Sequence, residues 1–181
     1  MLKFIGGLVI GIVLLGVVMF YKAGSFMFNE IESPYSVEET AARIQQNIQR
    51  LESRGWKLSG LRDPSKAVAA SGTNVMPVLL VEACSTKYSA PLLKEDETRL
   101  LSILMPCTIT VYKKDNGKTY IGLMNSGLMG KMFGEKVGTI MGEVAKDQKE
   151  FVKFDPKQPA PPLIKIKPGG GGAGGKDVGG C

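Results

Sequence analysis

Two cysteines and a carboxylate carry most of the chemistry legible in this chain. Val78-Leu-Leu-Val-Glu-Ala-Cys84 and Leu100-Leu-Ser-Ile-Leu-Met-Pro-Cys107-Thr-Ile-Thr-Val-Tyr112 read as apolar strand segments, each bearing one cysteine. Glu82 lies two residues before Cys84 and shares its strand face, and Pro106 directly precedes Cys107. If the strands are neighbours, three readings of the thiols compete. A structural disulfide would close a loop of 22 intervening residues and stabilise by about 3 kcal/mol on the chain-entropy account. Two buried thiols would act as small apolar groups. A functional pair would do redox chemistry, or hold a soft ion such as Cu(I) with Cys84, Cys107, Met105 and Met124 as ligands. Glu82 buried beside the thiols would have a raised pKa and could relay a proton; on an open face it would be solvated or paired with a lysine.

Composition limits the alternatives. The 181 residues contain no histidine, which removes Ser-His-Asp and Cys-His catalysis and His-ligated zinc or haem from this chain. No catalytic residue is assigned and no cofactor is expected, copper being the one alternative. From residue 33 to 153 there are 17 Lys and Arg against 13 Asp and Glu, a net +4. No basic run with interleaved aromatics occurs, so nucleic acid is not the expected partner. The third cysteine, Cys181, ends a glycine tail and has no neighbours that would tune it.

The elements that must position these groups begin with a membrane anchor. Residues 4–21 are an apolar run bounded by Lys3 and Lys22, about the length that crosses a bilayer. The exit, Tyr21-Lys22-Ala23-Gly24-Ser25, lacks a cleavage signature, so a retained transmembrane helix is expected rather than a secretory signal. The N-terminal amine and Lys3 on one side, against Lys22 on the other, favour a domain outside the cytoplasm, in the periplasm or its equivalent. Gly7 and Gly11 form a Gly-x-x-x-Gly pair, which either lets helices approach closely or reflects the abundance of glycine in membrane helices. The expected organisation is an anchor at 1–25, a juxtamembrane linker at 26–32, a domain at 33–153 and a Pro/Gly-rich disordered tail at 154–181.

Within the domain, Ser36-Val-Glu-Glu39 is a capping-box pattern. Val37, Ala41, Ile44, Ile48 and Leu51 recur at helical spacing up to Gly55, where a left-handed stop is expected. Trp56–Leu61, Val78–Cys84, Leu100–Met105, Thr108–Lys113 and Thr119–Met124 read as strands, with Asp115-Asn-Gly117 as a hairpin turn. Asp63 and Pro64 open a short helix. A final helix is expected from about Gly127 to Phe151, carrying Gly130, Gly134, Gly138 and Gly142 at four-residue spacing. Each interior glycine costs a helix about 1 kcal/mol relative to alanine, so close contact with the protein's own sheet, a second subunit's helix or a flat ligand should offset it.

Ser36-Val-Glu-Glu-Thr40, Gly55-Trp56, Pro106-Cys107, Asn116-Gly117 and Met124-Asn125-x-Gly127-Leu128-Met129-Gly-Lys131-Met-Phe-Gly134 together resemble the family filed as domain of unknown function 302, over roughly residues 33–153. The resemblance implies an α+β fold, a curved antiparallel sheet with two main helices in β-α-β-β-β-β-α order, here preceded by one transmembrane helix, and often a dimer. It implies no settled activity. Where many members carry an Asp-His pair and a Gly-Asn-Pro turn, this chain has Leu61-Arg62-Asp63-Pro64 and Glu82-Ala83-Cys84-Ser85; any role resting on that histidine is absent. The expected function is a membrane-anchored accessory or binding protein, forming a homo-oligomer or joining a larger membrane assembly; the alternative is thiol redox or Cu(I) handling by Cys84 and Cys107.

Overall fold

The computed structural model describes residues 2–166. Helix α1 (Leu2–Met27) runs without a break for 26 residues, roughly 39 Å at 1.5 Å per residue. Most of the apolar run at 4–21 lies outside the residues whose side chains are described. Among those that are, no helix is long and apolar enough to cross a membrane.

Strand β1 (Phe28–Ser33) starts on the next residue, so the expected linker at 26–32 is replaced by an edge strand. Asn125 locks this junction: its backbone N–H donates to the Met27 carbonyl at 2.7 Å and its Nδ2 to the Phe26 carbonyl at 3.0 Å.

Helix α2 (Val37–Arg50) starts where Ser36 Oγ accepts from the Glu39 N–H at 3.1 Å. The reciprocal half of the capping box is missing, because the Glu39 carboxylate instead takes Arg43 at 2.8 Å. Beyond it, a 3-10 turn at Glu52–Arg54 ends on Gly55 at φ +82°, the left-handed stop that glycine adopts without a Cβ clash.

Strand β2 (Trp56–Arg62), helix α3 (Pro64–Ala69, capped by Asp63) and β3 (Val78–Ser85) follow. Helices α4 (Thr86–Leu93) and α5 (Asp96–Arg99) lead into a 3-10 turn at Leu100–Leu104. After the cis Met105–Pro106 bond come β4 (Cys107–Lys113), β5 (Thr119–Met124), α6 (Ser126–Lys131) and α7 (Glu135–Phe151). The fold is α+β, a five-stranded antiparallel sheet in the order β1-β5-β4-β3-β2.

Leu100–Met105 is therefore not a strand. Leu101 is buried and Leu104 packs beside it, while Leu100 and Ile103 stand 76% and 80% exposed. A spacing of three suits a 3-10 turn, and a leucine-rich segment has little of the β-branched character that favours the pleat.

One face of the sheet is covered by α2 and α7, with Val81, Ile109, Val111, Ile121, Ile44, Ile48 and Phe151 at the centre. Residues 154–166 of the expected disordered tail are held against the domain. Gln45 both donates to and accepts from Ile164, the Leu61 N–H donates to the Ile166 carbonyl, and Phe154 and Leu163 pack against the core. Cys181 lies outside the described residues.

Candidate functional site

The strand register separates the two cysteines. Ala83 stands opposite Cys107, and Cys84 opposite Lys57. Side chains alternate across a sheet, so Cys84 points away from the face that Ala83 and Cys107 share. Cys107 is a free thiol, which removes the Cys84–Cys107 disulfide from the three readings: the strands are neighbours, but the register is one residue out of step for a bridge. Cys84 is buried and is not itself free. Glu82 does share the Cys84 face, is buried, and pairs with Arg62 rather than a lysine; the sheet lies between it and Cys107, so it relays no proton there.

Cys107 belongs to another constellation. A cavity of about 50 Å³ lies at the end of the sheet where β3 leaves and β4 enters, closed by the 3-10 turn, α6 and α7. Its lining includes six sulfur-bearing residues, Cys84, Met105, Cys107, Met124, Met129 and Met141, among mainly aliphatic and aromatic ones, with Ser85, Ser89 and Ser126 as the hydroxyl-bearing members. All four residues named as soft-metal candidates, Cys84, Cys107, Met105 and Met124, thus line one chamber. Burial pushes the Cys107 thiol up, only partly opposed by Gln148, whose Nε2 donates to Sγ at 3.2 Å; a thiol held protonated is a poor nucleophile. Among the described residues no group of three or more Cys, Asp or Glu could hold a metal ion.

The wall has one unsatisfied polar group. Ser126, 1% exposed at the start of α6, has a buried Oγ without a hydrogen-bond partner, and it lines this cavity. Nothing at the sequence level marks Ser126 beyond its place after the Asn125 cap.

Beside the cavity stands a polar network absent from the sequence expectations. Asp147 of α7, 2% exposed, accepts from Trp56 Nε1 at 2.8 Å, Tyr88 Oη at 2.9 Å and Arg54 Nη1 at 2.5 Å. Burial pushes its carboxyl up, but hydrogen bonds from Trp56, Arg54 and Tyr88 together outweigh that and hold it below the ordinary carboxylate range. Burial and the Asp147 charge raise Tyr88 to about 12. A signal existed: Asp147 sits three residues after Val144 and four before Phe151, on the inward stripe of its helix, where a charge must find partners.

The four glycines do not share one helix. Gly134, at φ +93°, separates α6 from α7 in a conformation that favours glycine. Gly130 is where α6 and α7 come closest: an added Cβ would lie inside 3.0 Å of the Met141 Cβ. Gly138 and Gly142 instead line an open groove of about 730 Å³ between β1 and α7, and a Cβ on Gly142 would meet nothing within 4 Å. The sheet of the same chain therefore does not account for that half of the series. Gly7 is outside the residues whose side chains are described, and a Cβ added to Gly11 would meet nothing within 4 Å beyond its own helix.

Comparison with known proteins matches this geometry to a fold without a described activity. No curated protein matches the chain. A crystal structure of an uncharacterized conserved protein DUF302 from Bacillus stearothermophilus superposes with a TM-score of 0.60 at 19% identity, covering 70% of this chain and 95% of that one, a likeness of fold alone. The profile of the family described as Domain of unknown function DUF302 matches residues 29–153, and this chain belongs to that family.

Proposed function

We propose that this chain is a single-pass membrane protein whose domain, on the outer side of the bilayer, binds a small apolar molecule with one polar atom and performs no chemistry on it. Residues 4–21 supply an apolar span of 18 residues, and α1 continues straight into β1, so the domain stands on the anchor without slack. The observation that carries the binding reading is the Ser126 hydroxyl, buried and unpartnered in a wall made mainly of aliphatic, aromatic and sulfur-bearing residues. Such a group costs about 1–3 kcal/mol unless a partner arrives. The cavity, at about 50 Å³, is smaller than the ~150 Å³ that accommodates benzene. It suits a short chain end bearing a hydroxyl or carbonyl, with the open groove along Gly138 and Gly142 left for a second copy or a larger assembly.

A second reading is favoured by the sulfurs themselves: Cys107, Met105 and Met124 would hold Cu(I), a soft ion suited to thiolate and thioether ligands. One titration separates the two. Millimolar primary alcohols of three to six carbons should raise the thermal midpoint of the purified chain, by about 1 kcal/mol of stabilisation at five times Kd, and Ser126→Ala should remove the gain. Absence of stabilisation by any member of the series overturns the proposal. Cu(I) bound against a competing chelator and lost in Cys107→Ser would put the metal reading in its place.

A further inference from the structure

Exposed apolar side chains gather at one end of the domain. Leu100 and Ile103 on the 3-10 turn are 76% and 80% exposed, and Met132 and Phe133 just past α6 are 68% and 48% exposed, with Leu128 beside them. Their neighbours Leu101, Leu104 and Met129, together with Phe133 itself, line the cavity, so the two segments form the lips of its mouth. Exposed large apolar side chains grouped around one cavity in this way point to a binding face.

Sheet register fixes which end this is. Phe28 pairs with Met124 and Ser33 with Thr119, so the end of the sheet carrying Met124 is the end from which α1 departs. Thr110 pairs with Gly122 and Lys113 with Thr119, which puts Cys107, and the 3-10 turn preceding it, at that same end. Asn125, hydrogen-bonded to the last two carbonyls of α1, is followed at once by α6. The hairpin tip at Asp115 lies at the opposite end, past Lys113, which is itself roughly 20 Å from Cys107 along β4 at 3.3 Å per residue. From Lys22, where the apolar run stops, to Met27 the helix rises about 7.5 Å, comparable to the interfacial layer of a bilayer at about 5–8 Å.

We propose that this apolar lip rests in the interfacial layer of the membrane that α1 enters, so that the cavity opens toward lipid and takes its ligand from the bilayer. The proposal rests on the reading of α1 as an anchor. Over residues 94–104 and 126–137 the lip carries four basic side chains, Lys94, Arg99, Lys131 and Lys136, against four acidic ones, Glu95, Asp96, Glu97 and Glu135. Its attachment is therefore apolar, and uncharged phosphatidylcholine is the appropriate surface.

The test uses the full chain in phosphatidylcholine vesicles with and without bromine on the acyl chains. Ile103→Trp and Phe133→Trp each place a fluorophore on the lip, and Asp115→Trp places one at the far end; the native Trp56 is buried and common to all three. Emission from the added tryptophan is expected to fall about twofold in brominated vesicles for the two lip variants, as for an interfacial tryptophan, and to be unchanged for Asp115→Trp. Flotation of the same samples reads the anchor separately. A chain that fails to float overturns the anchor and the lip with it. A chain that floats with equal quenching at all three positions overturns the lip alone. A blue shift at the lip without quenching by bromine shows that another protein copy covers it, and also overturns the proposal.

Discussion

Asp147→Ala will destabilise the domain by about 2–4 kcal/mol, because it leaves two donors, the Trp56 indole N–H and the Tyr88 hydroxyl, without their acceptor at about 1–3 kcal/mol each. The lost ion pair adds little, since Arg54 is half exposed. For a chain of this size the thermal midpoint should fall by roughly 10 °C. Asp147→Asn, which keeps one acceptor oxygen, should fall between the parent and the alanine variant.

The pH dependence follows from the directions of the shifts. The folded Asp147 carboxyl titrates below its ordinary value of 3.8, so its contribution is present above about pH 4 and is lost as pH falls through the folded value. Tyr88, raised from 10.0 to about 12, contributes stability that is complete below pH 10 and disappears as pH rises toward 12. Chemical denaturation from pH 2 to 11 should therefore show both limbs in the parent and a flatter acid limb in Asp147→Ala. A variant within 1 kcal/mol of the parent at pH 7 would show that these donors find other partners.

Gly130→Ala and Gly142→Ala should move stability in opposite directions, although the two residues belong to the same four-residue series. The Gly130 Cβ would collide with the Met141 Cβ and stand 3.2 Å from the Val137 carbonyl, so α6 must lift from α7 at a cost of about 1–3 kcal/mol. Gly142 lies inside α7 facing open space, where alanine removes the entropy penalty of glycine and stabilises by about 0.5–1 kcal/mol. Urea unfolding of both variants checks this, and changes of the same sign would refute the different surroundings assigned to the two glycines. If Gly142→Ala stabilises the fold and weakens association, the groove it lines is where a partner sits.

Features set by neighbours within a few residues were legible in the sequence. The Ser36 cap, the left-handed Gly55, the Asp63–Pro64 helix start and the Asn116-Gly117 hairpin each depend on one side chain and the backbone beside it. Leu100–Met105 misled because five apolar residues of six in a short run show no period that separates a strand from a 3-10 turn. The stretch from 154 to 166 misled for a different reason. Its prolines read as a tether, yet Arg43 and Gln45 on α2 hold it through its carbonyls, and composition is blind to donors presented by another element.

The candidate site divides along the same line. The sequence named Cys107, Met105 and Met124, since sulfur-bearing residues near strand ends can be read directly. It could not choose which face Cys84 occupies: a one-residue change of register turns every side chain of a strand over, and register is decided where β3, β4 and β5 pair. By itself, then, the sequence determined the apolar run, the α+β element types and the inventory of reactive groups, because composition and short-range periodicity contain them. Only the tertiary structure decided that the two internal thiols are kept apart, that Ser126 and Asp147 are buried, and that the cavity mouth lies at the α1 end of the sheet, because each depends on pairing between segments tens of residues apart.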